Sequence, residues 1–226
     1  RTQNLENRIH QLEITARIIQ QISAIQQLEP LLQQTTQLIS DHFGHYHVGI
    51  FLLDENRQNA VLRAANSLVG KKHISDGDRV RVRDTSLISA AIENNEARIS
   101  QKIATSLSLG NIKYPETLSE LALPLRSEGV LLGALNIHSK ETGVFSREDA
   151  IILQLLADQV ALAIDNTILF QQTQENLTSS QRSFDQASLR AWQQYLQKAG
   201  ELRERYDPNK VLPPNGKMTE TSTSTI

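Results

Sequence analysis

The chain has 226 residues, 39% of them hydrophobic and 21% charged, enough for one domain of ordinary size with long helices beside it. Its formal charge of −2 gives no basic field that would recruit nucleic acid. Its lack of cysteine removes disulfides, thiolate metal sites, cysteine nucleophiles and thioether-linked cofactors together.

Residues 4–28 read as a helix. Leu5, Ile9, Leu12, Ala16 and Ile19 alternate spacings of four and three, the seam of a coiled coil, with Glu, Arg and Gln on the other face. So narrow a stripe suits a parallel helix pair, and the competing reading is a helix packed on its own domain. Pro30 fits the first turn of a second helix, from about Leu28 to Phe43, and Gly44 closes it. His42, His45 and His47 follow closely. They fall at a helix end, in a loop and at a strand edge, and no carboxylate or cysteine completes a metal site at suitable spacing. No metal ligand is assigned.

HVGIFLL at 47–53 is a strand, followed by a polar hairpin loop and a returning strand, AVLRAAN, at 60–66. Residues 67–77 read as a solvated loop. DRVRVR at 78–83 alternates strictly and reads as a charged edge strand. Thr85 or Ser86 can cap a short helix from Leu87 to Asn94. A short strand is expected at 97–100, and the irregular residues after it, to 118, read as a binding lid around Gly110.

The centre of the chain is residues 119–139, two strands joined at Arg126-Ser127-Glu128-Gly129. Alternation puts Leu131, Gly133, Leu135 and Ile137 on one face of the second strand. Gly133 there would admit a close helix. Leu132, Ala134, Asn136 and His138 take the other face, and two polar side chains at its end exceed what a structural strand needs. Ser146 and Asp149 form a capping box for a long amphipathic helix, with Ala157, Ala161 and Ala163 available for close sheet contact. Beyond Gln171 apolar residues thin out, with Leu177, Phe184 and Ala191 seven apart. Asp207-Pro208 ends the helix, and the Pro-, Ser- and Thr-rich residues 207–226 read as a flexible tail. No continuous apolar run has the length of a membrane span.

The order helix, helix, strand, hairpin, strand, strand, short helix, lid, hairpin, long helix closely resembles a GAF domain, the small-molecule sensor module of bacterial signalling proteins, phytochromes and cyclic-nucleotide phosphodiesterases. HVGIFLLDE, AVLRAANS, SELALPL, GVLLGALNIHS and FSREDAIILQLLADQVALAIDN carry the resemblance, in order, across residues 29–170. It implies an α/β fold of the α+β type. A mainly antiparallel sheet of five to six strands would have helices on one face and a lid and pocket on the other. Residues 1–28 would then be a coiled-coil helix, 29–170 the GAF domain, 171–206 a signalling helix and 207–226 the tail.

The resemblance further implies a small-molecule pocket lined by Phe51, Leu53, Ile88, Ala91, Asn136 and His138. Phe51 stands where the phytochrome version of the fold places an aromatic residue against its chromophore. Ile88 and Ala91 would close the floor. Bilin attachment and the methionine sulfoxide reductase branch both require cysteine, which excludes a covalent chromophore and that enzyme activity. The cyclic-nucleotide pattern is incomplete: Ile137 follows Asn136 where the family has lysine, and Ala150 follows Asp149 where it has glutamate. For haem, His138 is the one axial candidate in the pocket. The ligand therefore stays unnamed.

The expected function is a non-catalytic, cytoplasmic regulatory sensor. It would bind a small molecule non-covalently, form a parallel homodimer through its terminal helices, and signal to an output module such as a histidine kinase outside these residues. The alternative is a ligand-free dimerisation spacer.

Overall fold

In a computed structural model the backbone is described for residues 2–101 and 114–205. Residues 1–173 form one compact unit and residues 174–226 a second. In the first unit α1 (Thr2–Ile22) and α2 (Leu28–Phe43) precede β1 (His47–Leu53) and β2 (Asn59–Ala65). Then come α3 (Leu68–Ser75), β3 (Arg79–Arg81), α4 (Leu87–Asn94) and β4 (Arg98–Ser100). The hairpin β5 (Ser119–Ser127) and β6 (Val130–Ser139) leads into α5 (Arg147–Arg205). The six strands form one sheet in the order β3-β2-β1-β6-β5-β4, and every neighbouring pair is antiparallel. This is the expected architecture, with β1 and β6 at its centre.

Local chemistry explains the boundaries. Gly44 takes φ 70° and its N–H returns to the Ser40 carbonyl at 2.9 Å, ending α2. Ser146 and Asp149 make the capping box: the Asp149 carboxylate accepts from the Ser146 N–H at 3.0 Å, and the Asp149 N–H donates to Ser146 Oγ at 3.1 Å. Glu128 and Gly129 take φ 48° and 82°, the two positive values that a tight two-residue hairpin turn requires.

One face of the sheet is apolar and lies under α1, α2 and α5. Val48, Ile50, Leu121, Leu123, Leu125, Leu135 and Ile137 meet Leu31, Leu32 and Ile39 of α2 and Leu153, Leu156, Val160 and Ile164 of α5. Ala157 and Ala161, fully buried, let α5 lie close to the sheet. The Arg126 guanidinium grips Asp158 of α5 with two contacts of 3.2 Å, and Ser127 Oγ donates to Asp165 at 2.8 Å. By composition α5 holds an 18-residue stretch apolar enough to cross a membrane, but 39% of that stretch is buried in this protein, where its apolar side chains cover the sheet.

The structure changes four expectations. Residues 68–75 form helix α3 rather than a loop, because Ser67 Oγ accepts from the Gly70 N–H at 3.0 Å and caps it. The first helix docks on its own domain through Thr15, Ile18 and Ile22, while Ile9 and Leu12 of the heptad stripe stay exposed. Gly133 makes room for a strand rather than a helix: a Cβ there would lie 1.9 Å from the Phe51 carbonyl oxygen of β1. Finally, a bulge between β5 and β6 exchanges two leucines. Leu132 packs with the helix-covered core, and Leu131 packs on the opposite face beside Phe51 and Ala134.

In the second unit the described residues continue helix α5 to Arg205, and Leu177, Phe184, Leu189, Trp192 and Tyr195 are exposed. The expected tail, and most of the expected lid, lie outside the described residues.

Candidate functional site

The face of the sheet away from the long helices carries the site. Cross-strand register sets His47 opposite His138, Gly49 opposite Asn136 and Phe51 opposite Ala134. On the far side of β6, Glu120 of β5 also stands opposite His138, and Pro124 opposite Ala134. Opposed residues share a face, so this face has a polar end and an apolar end.

Five of the six expected site residues divide between these ends. Phe51 and Ile88 pack with Ala60, Leu62, Ile92 and Ala134, and Leu53 lies against the same cluster. That end is filled by the protein's own side chains. The sixth, Ala91, is fully buried on α4, which packs against β5. Asn136 and His138 belong to the polar end, buried to 1% and 2% exposure. Sequence reading missed their partners Tyr46, His47, Tyr114, Thr117 and Glu120.

Tyr46, Thr117 and Glu120 join Asn136 and His138 in a directional chain of hydrogen bonds. His138 Nε2 meets the Asn136 carbonyl oxygen, an acceptor only, so this nitrogen carries the proton. His138 Nδ1 is then an acceptor, and Thr117 Oγ1 donates to it at 2.9 Å. Thr117 in turn accepts from the Tyr46 hydroxyl. At the other end Asn136 Nδ2 donates to Glu120 Oε1 at 2.9 Å. Each group gives one proton to the next, from Tyr46 to Glu120. Both ring nitrogens of His138 are thereby occupied, which removes it as an axial haem ligand unless this chain breaks.

Burial sets the charge state. It drives His138 well below the ordinary histidine value, helped by the neighbouring His47. It lowers His47 to about 3, with His73 contributing, and raises the Tyr114 hydroxyl. Glu120 is raised by burial, an effect its bond from Asn136 opposes. Near neutral pH the site thus holds neutral histidines and a neutral tyrosine.

Among the described residues two polar atoms here have no partner. Ser67 Oγ lies 2.7 Å from His47 Nδ1 and accepts from Gly70 N–H. His47 Nε2 is buried and unpartnered, as is the Tyr114 hydroxyl. The two rings lie 4.1 Å apart, and His138 sits 4.7 Å from Tyr114 and 4.9 Å from His47. Gly70 lets α3 cover this cluster, because a Cβ there would fall 2.7 Å from the His47 ring. Buried polar atoms are nearly always paired, so two orphans on one face mark a place for water or ligand.

The three early histidines separate in space. His47 lies in this site, whereas His45 contacts Phe145 beneath the helices, with ring centroids 5.1 Å apart. Among the described residues no group of three His, Asp or Glu side chains comes together to hold a metal.

The sequence profile of the GAF domain matches residues 26–165. The chain belongs to the GAF domain family. Its fold is shared by the GAF domain of a phosphoenolpyruvate-protein phosphotransferase from Coxiella burnetii, at TM-score 0.61 and 22% identity over 71% of this chain and 96% of that one. The GAF domain of the Acinetobacter phosphoenolpyruvate-protein phosphotransferase aligns at TM-score 0.60 and 21% identity, over 70% and 95%. A free methionine-R-sulfoxide reductase from Neisseria meningitidis, solved with its substrate, aligns at TM-score 0.60 and 19% identity, over 70% and 89%. No curated protein sequence matches the chain.

Proposed function

We propose that this GAF domain is a non-catalytic, cytoplasmic sensor of a signal-transduction protein, binding a small molecule non-covalently at the polar end of the sheet face. The observation that carries this reading is the pair of buried polar atoms, His47 Nε2 and the Tyr114 hydroxyl oxygen, that have no partner among the described residues. A bound molecule that hydrogen-bonds to both would remove the cost of leaving them unpaired. Asn136 and His138, locked by the chain from Tyr46 to Glu120, form a rigid wall beside them. The absence of cysteine separates this chain from the reductase chemistry expected of that branch of the fold.

The signal would travel through α1 and α5 in a parallel homodimer to an output module outside these residues. Exposed apolar side chains support this. Ile9 and Leu12 of α1 are 49% and 48% exposed, and Leu155, Leu162 and Leu169 of α5, seven residues apart, are 54%, 37% and 54% exposed. Binding then shifts a two-state equilibrium of the helix pair by the ligand's differential affinity.

The test is a non-denaturing mass spectrum, with an absorption spectrum, of the protein purified from its own host. Added mass that disappears in His47→Ala and Asn136→Ala supports the sensor. A bare dimer in every preparation overturns it in favour of a ligand-free dimerisation spacer. The filled apolar end around Phe51 favours that second reading.

A further inference from the structure

A cavity lies on the helix-covered side, between α1, the end of α2 and the start of α5. Its volume is about 140 Å³, and Gln11, Phe43, His45, Val144, Phe145 and Asp149 are on its wall. An apolar cavity of ~150 Å³ accepts one benzene-sized molecule, so this one has room for a single ring. Three aromatic walls give that ring its geometry. Phe43 and His45 are parallel to within 9° at 6.3 Å, and Phe145 is tilted against His45 at 5.1 Å.

The polar part of the wall restricts the ligand further. His45 is 8% exposed and makes, among the described residues, ring contacts but no side-chain hydrogen bond. Burial lowers it to about 4 against the pull of Asp149, so near neutral pH it offers one N–H and one lone pair. Asp149 is already held, by Ser146 N–H and Oγ on one oxygen and by Gln11 Nε2 at 3.0 Å on the other. Its charge opposes an anion, and a cation would lose its hydration against a carboxylate that is already satisfied.

We infer that this cavity is a ligand site for an uncharged, single-ring aromatic molecule bearing one hydrogen-bonding group directed at His45. Gln11 reaches the wall from α1, so an occupant also ties α1 to the domain. The site is independent of the sheet-face pocket proposed above, and its failure leaves that pocket untouched.

Phenol and toluene are matched in size and differ in the hydroxyl, which makes them the probes. The full chain is titrated with each, and the histidine side-chain resonances are followed, that of His45 being identified by its loss in His45→Phe. Expected are saturable one-to-one binding of phenol with a dissociation constant on the order of 1 mM, and a preference over toluene of about fivefold. His45→Phe should abolish the preference while keeping toluene binding. Val144→Phe, or, if that chain does not fold, the same change at Ile152, which also lines the cavity, should fill it and abolish both. Absence of saturation, equal affinity of the wild type for both probes, or phenol binding that survives the filled cavity would each overturn the site.

Discussion

One face of the sheet presents Val48, Ile50, Leu121, Leu123, Leu135 and Ile137 to three helices; the other presents His47, Asn136, His138 and Glu120 beside Phe51 and Ala134. Burial is nearly complete on both. On the helix side that burial is favourable at every position, because each side chain is apolar. On the other side each polar group must find a partner, and among the described residues the chain from Tyr46 to Glu120 and Ser67 leave two without one.

The contrast can be broken at its hinge. Gly133→Ala should be the most damaging single change, because its Cβ would overlap the Phe51 carbonyl that pairs the two central strands. Denaturant unfolding is expected to show a loss above about 3 kcal/mol or no cooperative transition. Near-native stability would mean that β1 and β6 are not paired as described.

Acid should attack the two faces together. His47 and His45 fall from the ordinary 6.5 to about 3 and about 4 in the folded protein. A folded state that resists protonation is fully favoured above the unfolded value and loses that advantage as pH falls below it. Between pH 6.5 and 5 each histidine should remove about 2 kcal/mol of stability, measured as the denaturation midpoint across that range. A flat profile there would contradict the burial of both rings. Asn136→Ala sharpens the comparison on the polar side alone. It leaves Glu120 Oε1 and His138 Nε2 without the bonds Asn136 supplies and should cost about 1–3 kcal/mol, with loss of any bound mass. Leu123→Ala on the helix side should cost about 2–5 kcal/mol without affecting that mass.

Smallest in stability is the pair Ile9→Glu and Leu12→Glu. Both side chains are about half exposed, so the melting temperature should stay within about 2 °C while light scattering reports monomer. A dimer that survives both charges would move the interface away from α1.

Much of this was readable in order along the chain. The capping box at Ser146, the αL stop at Gly44, the alternation in β1 and the two central strands follow from local rules, and so does the family they identify. Asn136 and His138 stood out because polar residues end an otherwise apolar strand. His47 did not, since a histidine opening a strand reads as its edge. Its burial comes from α3, whose Gly70 lies over the ring, and residues 67–77 gave no helical period strong enough to reveal that helix. Thr117, Tyr46 and Tyr114 lie outside regular strands, where no periodicity assigns a face.

By itself the sequence determined most of the elements, most of their faces and the family, because hydrophobic period and turn chemistry act over a few neighbouring residues. Tertiary structure alone decided which polar groups meet. Counted from the Glu128-Gly129 turn, Glu120 would oppose Ile137. The extra residue at Leu132 moves it opposite His138 and brings Leu121, Leu123 and Leu125 into line with Ile137, Leu135 and Gly133. A one-residue slip reverses every facing pair. Burial of the leucines on the helix side holds the bulged register, and that register assembles the polar site on the other.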